Sequence, residues 1–194
     1  MKGYSFLSLA KNAITGHKSW PKAWPTPDIK DRYDVVIVGA GGHGLATAYY
    51  LAKIHGITNV AVIEKGYLGG GNSGRNTQVT RSNYFWPQSA AFFDRSLQLY
   101  EHLGRELNFN IMLSQRGVIN LACSRHELES MRRWVNAIQI NGIDSAILSP
   151  REIKRIVPLI NLDTRFPVHG GFIQRRGGIS RHDAVVWGYA RAAS

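Results

Sequence analysis

The sequence predicts an α/β protein built on one βαβ unit, followed by the beginning of an α+β domain that the chain does not complete. Three observations carry this. YDVVIV at 33–38 is a short apolar, β-branched run, the pattern of a strand buried on both faces of a parallel sheet. A glycine turn and then GLATAYYLAKIHG follow, with Leu45, Tyr49 and Ala52 on one helical face and Gly56 placed to stop the helix. NVAVIE at 59–64 supplies a second buried run. Strand, helix and strand together take about 30 residues, the size of one parallel crossover unit.

The flanking elements follow in order. Residues 1–32 hold Trp20, Pro21, Trp24, Pro25 and Pro27. Proline at this density precludes a continuing helix or central strand, so the stretch reads as an arm whose tryptophans pack on a surface. Beyond Glu64 a glycine-rich loop covers 69–74. Residues 88–107 read as a helix with Phe93, Leu97, Tyr100, Leu103 and Leu107 along one stripe. RGVINLAC at 116–123 alternates like a strand, with Cys123 buried and inert in it. Ser124 and Glu127 make a capping box for a helix that carries Met131, Trp134, Val135 and Ile138 and stops near Gly142. SAILS at 145–149 is another strand, and Ser149, Pro150 and Glu152 start a further helix. GGFIQRRGGIS at 170–180 is expected to turn or to pair as a ribbon, and Ser180 with Asp183 to cap a last helix, HDAVVWGYARAA. The chain then divides into the arm at 1–32, the βαβ unit with its loop at 33–85, a partial substrate region at 86–170, and a return to the first domain at 171–194.

Composition narrows the class. Of the 194 residues 44% are hydrophobic and 19% charged, a globular balance in a chain long enough to bury a core without disulfides or metals. A single cysteine excludes a disulfide framework and any thiolate metal cluster built from this chain, and it points to a reducing, cytoplasmic setting. No metal site is expected. No apolar run reaches the roughly 18 residues that a spanning helix needs. The N-terminal apolar stretch is broken by Lys11, which excludes a secretory core. The net charge of +11 sits at the ends: six basic against two acidic groups in 1–32, ten against eight in 33–150, and eight against three in 151–194. No dense basic run with interleaved aromatics accompanies it, so neither nucleic acid nor membrane is an expected partner.

The chemistry is concentrated in the turn. Gly39-Ala-Gly41-Gly42-His43-Gly44 fits G-x-G-x-x-G, with a strand before it, a helix after it and Glu64 at the end of the second strand. That is the context of a Rossmann-like dinucleotide site. Gly39 permits the tight turn, Gly41 lets a pyrophosphate approach the backbone, and Gly44 brings helix against strand. The helix N-terminus stabilises phosphate, with Gly42 and His43 adding backbone contacts. Glu64 is placed to accept hydrogen bonds from an adenosine ribose, and an acid there disfavours a 2′-phosphate. Past it, residues 65–77 form a second run of small, polar groups. Lys65, Gly71, Asn72, Ser73, Asn76 and Thr77 can touch a cofactor there, while Arg75 and Asn76 are better placed to hold the loop. A nicotinamide dinucleotide needs no such loop. A flavin dinucleotide is larger and has use for its backbone groups, so FAD is the expected cofactor and the unit reads as an FAD-binding Rossmann-like fold.

These residues carry a resemblance. The strand, turn and Glu64, then GGGNSGRNT, TRSNYFW, SQRGVINLA and RRGGISRHDAVVWGYARAA, resemble the amine-oxidising flavoproteins related to D-amino acid oxidase. Within that group they are most similar to the β subunits of heterotetrameric sarcosine oxidases. The resemblance implies noncovalent FAD on this chain and FMN joined covalently to a histidine, which the RHDAV motif places at His182. With Ser180 as N-cap, His182 falls at the second position of the last helix, where the dipole disfavours imidazolium. A neutral ring is what could attack the methyl carbon of an oxidised flavin. The resemblance also implies that Arg81, in Thr-Arg-Ser, is the arginine that anchors the substrate carboxylate in monomeric relatives.

The function implied is oxidation of the N-methyl carbon of sarcosine by FAD. Electrons then pass to FMN and to oxygen, giving hydrogen peroxide with glycine and formaldehyde or methylene-tetrahydrofolate. The implied partners are α, γ and δ subunits and a small secondary amine. The implied chain is considerably longer, so this one reads as an N-terminal fragment. Two other readings stay open on the residues: a single-chain FAD amine or amino-acid dehydrogenase without FMN, and a basic binding fragment that keeps an inactive flavin fold.

Overall fold

The computed structural model describes residues 5–16, 18 and 28–194, in two units, one up to Tyr33 and one from Asp34 to Ser194. The tryptophans and prolines at 20–27, read as the body of an arm, lie outside the described residues. In the first unit Phe6–Ile14 forms helix α1, in a stretch expected to be only an arm. Ser5 Oγ caps it by accepting from Ser8 N–H at 3.1 Å, and the helix buries none of its residues. A local cap, rather than a core, shapes this element.

The second unit begins with the expected crossover. β1 (Val35–Val38) and β2 (Val60–Ile63) pair in parallel, Val35 opposite Val60 and Val38 opposite Ile63, joined by α2 (Gly42–His55). Helix α2 turns Leu45, Ala48 and Tyr49 inward and ends at Gly56, whose φ of 67° is the left-handed conformation that closes a helix. The strands are not buried on both faces, as their apolar runs suggest. Val36, Val38 and Ile63 are exposed, because α2 covers one face of the pair and no described element covers the other.

The strand β3 (Val79–Thr80) and helix α3 (Pro87–Glu106) come next, the helix opening on a proline that needs no N–H partner. Then follow β4 (Val118–Ala122), α4 (Arg125–Ile140), β5 (Ala146–Leu148), α5 (Pro150–Ile156), β6 (Gly170–Gln174), β7 (Gly178–Ile179) and α6 (His182–Ala193). Ser149 and Glu152 form a full capping box on α5. On α4 the box is half made: Ser124 Oγ accepts from Glu127 N–H, but the Glu127 carboxylate reaches Cys123 N–H at 2.6 Å instead of the cap residue's own. Cys123 is half-buried, not buried.

Residues 170–180 do not pair with themselves. β6 is the fully buried centre of an antiparallel sheet of order β4-β6-β5, with Phe172 opposite Asn120 and Ile147, and β7 pairs with β3. The glycines serve close approach rather than a ribbon turn: a Cβ on Gly171 would lie 2.3 Å from Asn120 O, and one on Gly178 2.1 Å from Ser114 O. Ser180 extends this pairing by donating its N–H to Gln78 O at 3.0 Å. It is therefore buried in strand-like backbone, and Arg181 is the N-cap of α6. The core under the crossover joins Leu45 and Tyr49 of α2, Leu103 of α3, and Val185, Val186 and Tyr189 of α6.

Candidate functional site

The end of β1 delivers Gly39 at φ 105°, a backbone that side chains rarely permit. The turn then closes so tightly that a Cβ on Gly44 would lie 2.0 Å from Gly39 O. Gly39 N–H stays bonded to Ile63 O at 2.7 Å, which keeps the turn against β2. Gly41 is the N-cap of α2 and offers no capping side chain. Helix-start amides with no N-cap side chain, apart from the Gly42 N–H that Ser73 Oγ receives, suit an anion such as a pyrophosphate.

The second glycine loop is fastened onto the first. Gly69 N–H donates to Ala40 O at 2.9 Å, and Gly42 N–H donates to Ser73 Oγ at 2.9 Å. A Cβ on Gly41 would come within 3.1 Å of that hydroxyl. After Gly71, residues Asn72–Gly74 make one 3₁₀ turn, which Asn76 holds by donating to Ser73 O at 2.7 Å and accepting from Gln78 N–H at 2.7 Å. That second bond fixes Gln78 at a φ of 62°. Asn76 thus ties the loop through two hydrogen bonds. Lys65, Gly71 and Thr77 are exposed along the loop.

Glu64 ends β2 with both carboxylate oxygens engaged: Oε2 accepts from Ala40 N–H and Oε1 from Gly66 N–H, each at 2.9 Å. Each oxygen has a second lone pair, so a ribose hydroxyl could still be received. The Ala40 amide first, and then the Gly66 amide, hold this carboxyl below its ordinary range.

Gly42, His43, Asn72, Ser73, Asn76 and His182 line one cavity of about 550 Å³. Its opposite wall comes from α3, where Phe92, Arg95, Ser96, Leu99, Tyr100 and Leu103 repeat at helical spacing, and from Val185, Val186 and Tyr189 of α6. Burial pushes the Tyr100 and Tyr189 phenols up, so both are neutral donors. No acidic side chain lines this space. A cavity with amides and hydroxyls at one end, aromatic carbon along its wall and positive charge without acid fits a phosphorylated planar ligand. His182 is the first residue of α6, one position nearer the cap than Ser180 capping would place it. Its Nδ1 is buried and has no hydrogen-bond partner, so the ring is uncommitted.

Arg81 does not line that cavity. It follows β3, donates to Asn83 Oδ1 at 2.7 Å, and rests 4.7 Å from the Tyr84 ring centroid. Among the described residues no cluster of His, Cys, Asp or Glu is arranged to hold a metal ion, and no helix is long and apolar enough to cross a membrane.

Sequence reasoning missed Arg95 and the buried polar cluster around Ser82, Asn83 and Gln174, all three at 0% exposure. The signal for Arg95 was present, since it lies three and four residues from Phe92 and Leu99 on a face next to the chosen stripe. The cluster leaves no local pattern, because Gln174 lies 92 residues from Ser82.

The family described as FAD dependent oxidoreductase (DAO) matches residues 34–194. The chain is 52% identical over 195 residues to "Sarcosine oxidase subunit beta" of Rhodobacter capsulatus, covering 100% of this chain and 47% of that protein. It is 53% identical over 173 residues to the subunit of the same name from Arthrobacter sp, covering 88% of this chain and 43% of that one. The chain therefore spans about half the length of the curated relatives it matches. Among solved structures, L-proline dehydrogenase from P. horikoshii superposes with a TM-score of 0.77 at 24% identity, over 85% of this chain and 42% of that chain, a likeness of fold. On the crossover, the glycine turn and these matches together, the chain belongs to the FAD dependent oxidoreductase family.

Proposed function

We propose that this chain supplies the flavin-holding part of a sarcosine oxidase β subunit, acting in the cytoplasm with α, γ and δ subunits on a small N-methyl amino acid. The observation that carries the reading is the shared cavity: the glycine turn, Ser73 and an unpartnered His182 face one acid-free space beside aromatic carbon. The sequence identity to two sarcosine oxidase β subunits supports the substrate class.

The turn fits FAD. The turn's amides that carry no side-chain partner would bind the pyrophosphate, Glu64 the ribose, and the loop held by Ser73 and Asn76 the next stretch of the dinucleotide. His182 would hold FMN by one ring nitrogen. Bound there, FAD supplies oxidation of the N-methyl carbon, and FMN supplies the route for electrons to oxygen, giving hydrogen peroxide, glycine and formaldehyde or methylene-tetrahydrofolate. The chain's own work is orientation and charge. Arg81 would receive the substrate carboxylate as a bidentate partner. It is suited to this because its present partners, an amide oxygen and an aromatic face, are both neutral. Residues 86–170 would form the start of the substrate side.

The test is acid precipitation of the full-length, assembled enzyme. One flavin staying with the protein and one in the supernatant is the expected result, and His182→Ala should release both. If the unaltered enzyme releases all its flavin, the FMN reading fails and a single-chain FAD dehydrogenase takes its place. Protein purified without any flavin would instead favour an inactive binding fragment.

A further inference from the structure

We propose that Asn83 is the positioning residue for Arg81: a buried, neutral acceptor that fixes the guanidinium while leaving its charge for a substrate carboxylate. The inference rests on the reading of Arg81 as the carboxylate anchor.

Three arginines of this unit show the contrast. Arg176 is compensated by Asp94 and Glu101, each at 3.0 Å, and Arg181 by Asp183. Arg81 is half-buried, yet it forms no salt bridge among the described residues. Its NH1 donates to Asn83 Oδ1 at 2.7 Å, and its guanidinium lies over Tyr84, whose ring stacks on Phe93 at 4.0 Å between centroids. Orientation is therefore supplied without neutralisation.

The backbone that carries the acceptor is held in place. Asn83 is fully buried, and its carbonyl accepts from Trp134 Nε1 at 3.1 Å. Its neighbour Ser82, also fully buried, donates N–H to Gln174 Oε1 at 2.9 Å and receives Gln174 Nε2 on its hydroxyl at 2.7 Å. That hydroxyl donates in turn to Asp94 Oδ1 at 3.2 Å. A backbone strapped at consecutive residues, by Gln174 of β6 and by Trp134 of α4, gives Arg81 one direction before any ligand arrives.

Chemistry explains why the acceptor is an amide. An aspartate in the same place would pair with the guanidinium and compete with the substrate carboxylate. An apolar side chain would leave a half-buried N–H without a partner and let the arginine swing. The amide can face Arg81 only through Oδ1, since the flipped form would set donor against donor. Its Nδ2 is then left buried without a partner, a cost that an apolar residue would avoid.

The experiment uses the assembled, flavin-loaded enzyme, and reads KM and kcat for sarcosine together with Kd for propionate, a carboxylate without an amine, from the change in flavin absorbance. Asn83→Asp should raise KM and propionate Kd about tenfold or more while kcat stays within about threefold, with no fall in Tm. Asn83→Ala, which neutralises nothing, should raise both by less. If Arg81→Met raises KM and Kd but both Asn83 variants leave them within about twofold, the positioning inference is overturned and the Arg81 reading survives. If Arg81→Met itself changes neither, the carboxylate reading of Arg81 fails and takes this inference with it. Should Asn83→Asp not fold, the alanine variant alone decides between these outcomes.

Discussion

Glu64 and Ala40 are joined by a 2.9 Å hydrogen bond, side chain to backbone, that ties the end of β2 to the turn after β1. With Gly66 N–H on the other oxygen, the carboxylate form is favoured in the folded state and its pKa is depressed. A depressed acid stabilises the fold above its unfolded pKa, and that contribution is lost as pH falls through the folded value. Glu64→Gln, whose amide presents a donor to one of these N–H groups, should therefore lower Tm at neutral pH. The gap to the parent should close as both are acidified below the ordinary carboxylate range. A gap that stays constant across a pH series of thermal melts would show that the charge on Glu64 does nothing for the turn.

The glycines of the turn are not equivalent. A Cβ on Gly44 would meet the backbone oxygen of Gly39 at 2.0 Å, and backbone cannot step aside. A Cβ on Gly42 would meet only Ser73 Oγ, at 3.6 Å. Gly44→Ala is expected to destabilise the chain by about 3 kcal/mol or more, and Gly42→Ala to change stability by less than about 0.5 kcal/mol. Urea denaturation separates them, and equal losses in the two variants would contradict this packing.

The crossover was legible because each of its signals is local. Gly39, Gly41 and Gly44 carry their spacing in six residues, and Gly56 marks the end of α2 by being the glycine that a left-handed stop requires. The capping box of Ser149 and Glu152 is readable for the same reason. What misled were residues whose role is decided at long range. Ser180 looks like a cap beside Asp183, but Gln78 claims its N–H from 102 positions away and draws it into the β3–β7 pairing. Val36 and Val38 look buried because their run is apolar, yet burial needs a second layer that no described residue provides. At the candidate site, His182 came from a motif and His43 from the turn, and a shared cavity for the two could only be seen in three dimensions.

Gln174 ends β6, the central strand of its sheet, at 0% exposure, where an apolar residue would ordinarily sit. It earns the position by accepting from Ser82 N–H and donating to Ser82 Oγ and, at 3.4 Å, to Asp144 Oδ1. Gln174→Leu keeps the volume and leaves the buried Ser82 amide without a partner. A loss of about 2 kcal/mol is expected from one such unpaired group. Chemical denaturation should show it, and a neutral result would mean that the Ser82 segment re-pairs elsewhere.

Arg176 joins the same cluster to α3, its guanidinium reaching Asp94 Oδ1 and Glu101 Oε2 at 3.0 Å and its own N–H reaching Asp144 at 2.9 Å. The side chains are 36%, 20% and 23% exposed, so water screens part of the attraction. Arg176, ahead of Gln115, holds the Glu101 carboxyl below its usual range, although burial opposes the shift. The sign follows as for any depressed acid: the stabilisation is present above the unfolded glutamate pKa and disappears as pH falls through the lowered folded value. Arg176→Met keeps the aliphatic stem and removes the charge, which strands two carboxylates on α3. At neutral pH it should lower stability by about 1–2 kcal/mol, a range that already allows for screening. Acidification should then narrow the difference, because a protonated Glu101 no longer needs a cation. A variant that is equally destabilised in acid and at neutral pH would show that Arg176 acts by packing alone, and that the cluster owes its rigidity to Gln174 and Ser82.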